Sequence, residues 1–440
     1  MRNKILSLSI VSLALLSWTP PARAFKSAMP RNTAPFPVIL KGTQVAELLG
    51  SSPAGLSAFT CQGGGVTPLI VQVDEVNPDG RILPGAGTGS GTLAPDSEPG
   101  KIDANDEIVL MLQDLGEECP AERLARVQGK LVRVTARAPY LSDPGVFYLL
   151  SGERALRPSR EYVRFDPAAD LVSSSVISLG YLPGNASMLD RWIAHEWKGK
   201  ENVDLLDRQK ARFRVKTLGS LLTLNITEDD FDTTLEGVRA GPVRVVREVN
   251  VKVSPVPGLT ISADLTYYHY ERLWLGDVKF RMPKAAAAFT SSMDMIAVLD
   301  FAHNDGARVS TKKQPRGILV DGKMAAEEAS LDLGEEPWYL STGGFTLVGY
   351  VDAVGDQFPV TPRARFIDDL SRAMPPEEFR GAMAEAGYEF IGMEKLEAKT
   401  YRFIIVAALL PGFPERGGSG FYSVQRSPVS LEVSSVGGDS

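Results

Sequence analysis

Residues 242–255 read PVRVVREVNVKVSP, and the fold class follows from them. Val243, Val245, Val249, Val251 and Val253 fall on one side of an extended chain, with Arg244, Glu248, Asn250 and Lys252 on the other. A two-residue period of this kind marks a strand with one face in a core and the other in water. Shorter runs of the same character recur at Leu69–Val73, Ile108–Leu112, Leu131–Ala136, Val146–Leu150, Ala211–Lys216, Leu221–Ile226, Val278–Met282, Met295–Phe301, Phe345–Val351, Tyr401–Leu409 and Val429–Val433. Gly, Pro, Asn and Asp fill the gaps, the punctuation of antiparallel sandwiches. Two segments read as short helices. One is Ser187–Trp197. The other is Pro375–Ala386, with Pro first, Glu377 and Glu378 in the first turn and Gly387 after the end. No strand–helix alternation and no internal repeat is present. The expected fold is all-β with few short helices: an antiparallel β-sandwich, at its largest a two-sheet supersandwich.

Of the 440 residues, 44% are apolar and 8% aromatic, enough for a large core. Residues 1–24 read as a secretory signal peptide: Arg2 and Lys4 open it, Ile5–Leu16 is apolar but too short to span a bilayer, and Ala22-Arg23-Ala24 offers small residues for cleavage. The mature chain then begins at Phe25 and is exported, to the periplasm or the extracellular space, with no integral membrane span after signal removal. The longest later apolar run, Phe403–Leu410, is closed by Pro411 and reads as a core strand. A β-rich N-terminal region is placed at 25–160 and the main sandwich at 161–440. The Gly/Pro/Ser-rich stretch Leu83–Lys101 reads as a long exposed loop. Cys61 and Cys119 are the only cysteines, and export points to a disulfide between them.

Charge is concentrated. Residues 74–118 hold Asp74, Glu75, Asp79, Asp96, Glu98, Asp103, Asp106, Glu107, Asp114, Glu117 and Glu118 against Arg81 and Lys101, which is 11 − 2, or −9. The whole chain carries −7, and removing Arg2, Lys4 and Arg23 with the leader leaves −10. Nucleic acid and anionic membrane surfaces are therefore disfavoured as partners. Glu75-Val76-Asn77-Pro78-Asp79-Gly80 sets oxygen side chains at alternate positions before a Gly, as in the first half of a calcium loop. The bidentate Glu of such a loop would fall at Ala86, and acidic ligands resume only at Asp103-Ala104-Asn105-Asp106. The expectation is an interrupted Ca²⁺ site in which Glu75, Asn77, Asp79, Asp103, Asn105 and Asp106 converge. The alternative is a solvated acidic turn.

VQVDEVNPDG (71–80), followed after a gap by KIDANDEIVLML (101–112), resembles a recurring module of uncharacterised exported bacterial β-sandwich proteins, and GVRAGPVRVVREVNV (237–251) resembles a strand-entry motif of the same proteins. The resemblance implies a secreted β-sandwich of the large two-sheet type also found in carbohydrate-active enzymes, and it supplies no substrate.

Catalytic signatures are missing. His195-Glu196 lacks the second His of H-E-x-x-H, neither Ser90 nor Ser419 sits in G-x-S-x-G, and no phosphate loop or dinucleotide fingerprint occurs. One segment remains suggestive, Tyr267-Tyr268-His269-Tyr270-Glu271-Arg272-Leu273-Trp274. On a single strand, Tyr268, Tyr270, Arg272 and Trp274 would share a face able to stack a sugar ring and pair a uronate carboxylate. Tyr267, His269 and Glu271 on the other face would offer acid–base groups. Core packing of the aromatics is the plainer reading. Two function classes stand: an exported envelope binding or accessory protein, calcium-stabilised, with a polysaccharide or another envelope component as partner; or a carbohydrate-active enzyme, a polysaccharide lyase or glycoside hydrolase, on a sandwich scaffold.

Overall fold

A computed structural model of the chain describes residues 34–436, apart from 140, 142, 153–156, 218, 257–258, 312–313, 330–336, 343, 354–357 and 412–428. Residues 1–24, expected to be a signal peptide, lie outside the described residues. The valine stretch forms the strand Val245–Val256, second in a nine-stranded sheet of order Asp232–Ala240, Val245–Val256, Leu259–His269, Leu273–Arg281, Thr400–Pro411, Phe345–Ala353, Trp338–Ser341, Arg308–Ser310 and Ile318–Leu319. Facing it is a five-stranded sheet of order Leu222–Ile226, Leu206–Thr217, Thr290–Phe301, Ala382–Phe390 and Pro362–Asp369. The two meet across Phe390 and Phe403, whose ring centroids are 5.8 Å apart, and through the Tyr388 hydroxyl, which donates to the Gly349 carbonyl at 3.3 Å. All strand pairings within each of these sheets are antiparallel. The fold is an all-β sandwich.

Among the described residues there are three smaller sheets besides these two. A meander, Val163–Asp166 to Lys200–Asp204, packs against the nine-stranded sheet. In the N-terminal part, Pro37–Lys41, Glu107–Met111 and Gln72–Asp74 form one sheet. Another has the order Ser430–Ser435, Lys130–Arg137, Gly145–Ser151, Leu56–Gln62 and Gly65–Leu69. The last strand of the 161–440 region thus completes a sheet of the 25–160 region, and one hydrophobic core runs through both.

Every strand-like run in the sequence lies wholly or largely in a strand except Leu69–Val73, which is divided between the end of Gly65–Leu69 and the start of Gln72–Asp74 in another sheet, and both expected helices are absent. Asn185–Trp197 is a 13-residue strand paired on both sides. Trp192 and Ala194 are buried while Ile193 and His195, each the next residue along, are only half-buried, so the working period is two. Cross-strand pairing overrides local helix propensity here. In Pro375–Ala386, the first part is irregular. Asp207 accepts the Glu378 and Phe379 N–H groups at 2.6 Å each, and Glu377 accepts that of Gly381 at 2.8 Å. With those N–H groups taken by side chains, no helical turn forms, and Ala382–Phe390 is a strand. Among the described residues the α-helices are Ala121–Leu124, Lys284–Phe289 and Ala326–Ala329, and no helix is long and apolar enough to cross a membrane.

The loop Leu83–Lys101 is not free in solvent along its length. The Ser90 N–H donates to the Glu236 carbonyl at 2.9 Å and Thr88 Oγ1 to the Val238 carbonyl at 2.6 Å, so the loop covers the edge strand Asp232–Ala240. A Cβ on Gly237 would fall 2.5 Å from the Pro84 ring, which makes the close approach possible only with glycine. Cys61 and Cys119 form a disulfide with Cα atoms 5.1 Å apart, closing a 58-residue separation around the acidic run. On the chain-entropy model a closure of that length contributes about 4 kcal/mol. Replacing both cysteines by serine should lower the unfolding free energy by about that amount in urea, and the unreduced protein should take up no alkylating agent.

Candidate ligand-binding site

The aromatic segment divides at a hairpin. The strand Leu259–His269 ends, the Tyr270 N–H donates to the Leu273 carbonyl at 2.8 Å, and Leu273–Arg281 returns with His269 opposite Trp274. The expected shared face of Tyr268, Tyr270, Arg272 and Trp274 therefore does not exist. The turn puts Trp274 on the side of Tyr267 and His269, where it stacks on the Tyr267 ring at 5.3 Å. Gly276, opposite Tyr267, leaves room for both rings: a Cβ there would lie 3.1 Å from Tyr267 and 3.2 Å from Trp274.

This side is core. Tyr181 of the meander accepts from Trp274 Nε1 at 3.3 Å and donates to His269 Nε2 at 2.8 Å, while His269 Nδ1 faces the Val245 carbonyl at 3.2 Å. Arg247 lies over the Tyr181 ring at 3.8 Å and pairs with Asp170. Burial, with the Arg247 charge beside it, holds His269 down at about 3, so it stays neutral and carries no proton traffic near neutral pH. On the other side, Tyr268 lies under the Arg244 guanidinium at 5.1 Å and the Tyr270 hydroxyl accepts from Arg244 Nη1 at 3.1 Å. The segment offers no open groove. Tyr181 and Arg247 were not singled out in the sequence, although an arginine on the valine face of 242–255 was the visible anomaly.

The acidic run packs on the outer face of the nine-stranded sheet. Arg244, fully buried, pairs with Asp74 at 2.8 Å and Glu107 at 2.5 Å. Arg81 pairs with Glu236 and Glu248 at 2.6 Å each, and Val76, Ile82, Val246 and Tyr268 close a small apolar cluster beside them. Of the face read as solvated, Arg244 and Glu248 are therefore covered while Lys252 is exposed, and within the acidic run Asp74, Glu107, Asp114 and Glu118 are paired.

The two halves of the expected calcium site do meet: the Val76 N–H donates to Asp106 Oδ1 at 3.0 Å. The ligand set differs. Asn77 Oδ1 accepts the Asp79 and Arg81 N–H groups at 3.1 and 2.8 Å, Glu75 accepts that of Gly100 at 2.7 Å, and Asn105 Nδ2 donates to the Val76 carbonyl. Those side chains, and Asp79, do not converge on one point. Asp96, Asp103 and Asp106 do, with one carboxylate oxygen from each within 4.8 Å of the others. Burial pushes Asp106 up to about 6; the N–H groups of Asp103 and Val76 oppose the shift, and the Asp103 and Asp96 carboxylates add to it. Asp96 is 7% exposed, and its Oδ1 is buried without a hydrogen-bond partner. A donor set of three carboxylates with an orphaned buried oxygen fits a hard divalent cation.

An apolar opening lies elsewhere, between the nine- and five-stranded sheets. It is a cavity of about 480 Å³ lined by the inward faces of both. On the five-stranded sheet, Ala211 and Ala297 are cross-strand partners, and Ala263 lies on the sheet that faces them. These small side chains leave space where the neighbouring positions carry Val, Ile, Phe and Met. Met188, Met282, Met293, Met295 and Met393 line it, five of the chain's 11 methionines, and unbranched thioethers adapt to an irregular guest. The polar groups at the inner end are already engaged: Gln209 Oε1 accepts from the Leu189 N–H at 3.1 Å, and Ser187 Oγ donates to Asn185 Oδ1 at 2.7 Å. A second pocket of about 500 Å³ is polar, with Arg157, Arg160, Glu161, Arg239 and Gln72 in its wall.

No protein-family model matches the chain, and no curated protein sequence matches it. Among solved structures, similarity extends to an alpha-mannosidase from Enterococcus faecalis V583, with 10% identity over 89% of this chain and 47% of that one at a TM-score of 0.43. The alpha-N-acetylgalactosaminidase NagBb from Bifidobacterium bifidum, in complex with GalNAc, matches with 8% identity over 55% of this chain and 36% of its own at a TM-score of 0.34. The chain spans less than half the length of either.

Because Arg244 is fully buried, replacing it by methionine leaves Asp74 and Glu107 short of a cation. Removing one partner of a buried pair costs about 3–5 kcal/mol. Urea unfolding of Arg244→Met should show a loss of that order, whereas Arg402→Met, at a half-exposed pair with Asp277, should cost no more than about 1 kcal/mol.

Proposed function

We propose that the protein is an exported binding protein of the cell envelope, without catalytic machinery of its own, that holds an apolar ligand between its two large sheets. The observation that carries this reading is the 480 Å³ apolar cavity. Protein interiors are close-packed, and an empty void costs about 24 cal/mol per Å³. A dry cavity of this size would then cost about 12 kcal/mol, as much as the whole stability of many domains. Water entering it finds few unsatisfied polar partners. An apolar guest removes the cost, and the volume lies in the range of small-molecule sites.

The leader at 1–24 and the Cys61–Cys119 disulfide support export. A carbohydrate-active role is the second reading, favoured by the polar pocket, where the Arg157, Arg160 and Arg239 guanidinium groups suit a uronate carboxylate. An uncharged naphthylamine dye separates the two. It should brighten on binding the protein, and Ala297→Phe or Ala263→Phe should weaken it at least tenfold. A dark dye together with oligouronate binding that Arg160→Ala abolishes would favour the carbohydrate reading.

Calcium is proposed as a structural ion at Asp96, Asp103 and Asp106. Binding to the folded state alone adds about 2.7 kcal/mol at a free concentration one hundred times the dissociation constant. Chelation should lower the melting temperature, Asp96→Asn should remove the response, and sodium at matched ionic strength should not restore it.

A further inference from the structure

The cavity between the sheets has a buried end and an open one. Along the strand Leu259–His269 its wall passes from Leu259, Ile261 and Ala263, half-buried, to Leu265 and Tyr267, buried. Leu222, which pairs with Thr217 at the far end of that strand from Gln209, is 41% exposed and marks the opening. From Leu259 to Tyr267 is eight residue steps along one strand, about 26 Å at 3.3 Å per residue. The hydrocarbon core of a bilayer is about 30 Å thick for two opposed leaflets, so one extended acyl chain occupies about 15 Å. The passage takes such a chain lengthwise.

At the buried end each polar side chain is engaged through one atom, and one of them keeps a donor to spare. Tyr267 donates to the Ser187 carbonyl at 2.6 Å, and Ser187 Oγ donates to Asn185. Gln209, 7% exposed, accepts from the Leu189 N–H through Oε1. A backbone N–H can only donate, so the atom facing Leu189 is the oxygen and the other is the amide nitrogen. That nitrogen, Nε2, has no hydrogen-bond partner among the described residues and is not sealed off by packing, so it is open to the cavity that Gln209 lines. One free donor falls short of the about three partners that hold a buried water. It suits a single guest oxygen.

The charge of the guest follows from the same wall, in which no Asp, Glu, Lys, Arg or His lies among the described residues. Arg247, over the Tyr181 ring, is already paired with Asp170. A carboxylate or ammonium brought to the buried end would have no counter-charge and would lose its hydration. Thr217 and Thr290, the other polar side chains of the wall, are cross-strand partners near the opening, where water competes for them. Resting on the reading of the cavity as a ligand site, we infer that the guest is a neutral long-chain lipid that enters oxygen first. Its carbonyl or hydroxyl oxygen accepts from Gln209 Nε2, and its hydrocarbon tail runs out toward Leu222.

The test displaces the naphthylamine dye with three ligands of one chain length: 2-tridecanone, tridecane and tridecanoate. Gln209→Met keeps a similar side-chain volume and removes the donor. The quantity read is the ratio of ketone to hydrocarbon displacement in each protein, in which a general loosening of the cavity cancels. The advantage of the ketone should fall about tenfold in the variant, while tridecanoate, whose head stays in water, should change no more than tridecane does. A ratio unaltered by the substitution, or a ketone that displaces nothing, overturns the oxygen-first orientation. A loss for tridecanoate as large as that for the ketone overturns the neutral class. Either result leaves the cavity reading standing. Should Gln209→Met not fold, the wild-type protein decides: the carbonyl stretching band of the bound ketone should lie at lower wavenumber than in an alkane, and a band at the alkane position overturns the hydrogen bond. Failure of the dye and of all three ligands to bind overturns both readings.

Discussion

The Arg244 guanidinium, fully buried between a sheet and a loop region, is the interaction on which the arrangement turns. A cation so placed is tolerable only when its donors are met, and Asp74, Glu107 and the Tyr270 hydroxyl meet them. Those partners come from the Gln72–Asp74 strand, the Glu107–Met111 strand and the turn after His269. One side chain thus fixes the N-terminal sheet against the nine-stranded sheet and pins the hairpin that redirects Trp274. Arg81 repeats the device in the opposite sense, reaching from the acidic run to Glu236 and Glu248 on the sheet. Part of the charge concentration in residues 74–118 is thus a docking surface, and the three-aspartate cluster stands outside that pairing.

The strands were legible because alternation is a local property. Val243, Val245, Val249 and Val251 announce a buried face wherever that face ends up. What covers the other face is not local. Arg244 and Glu248 read as solvated because nothing in 242–255 says that Asp74 and Arg81 will arrive from 170 and 167 residues away. The same limit explains Ser187–Trp197, which reads as a short helix until strands on both sides claim its backbone groups. It explains the segment after Tyr267 too: four residues without Gly or Pro at 270–273 make a turn only because strands on either side pair, and one unseen reversal moved Trp274 to the opposite face.

The cavity was illegible for a further reason. A strand facing a partner and a strand facing a void carry the same apolar alternation. Ala211, Ala263 and Ala297 are unremarkable one at a time, and only their assembly on facing sheets leaves a passage. The disulfide was the easiest feature to read, because two cysteines allow one pairing. The calcium expectation sat between these cases. Its two halves converged, yet Glu75 and Asn77 had nearer backbone N–H groups to satisfy, and Asp96 entered from a loop whose path the sequence did not disclose.

The pairing of Ser430–Ser435 with Lys130–Arg137 orders events in time. A chain made from its N-terminus presents Lys130–Arg137 as a bare sheet edge until nearly all of the remaining residues have followed. Exposed edges recruit other strands, and contacts this distant in sequence form late. The Cys61–Cys119 bridge closes wholly within the early part and can hold that region compact through the interval. Completion of that sheet therefore waits on the delivery of the whole sandwich, and a chain cut short between residues 151 and 430 keeps an open edge.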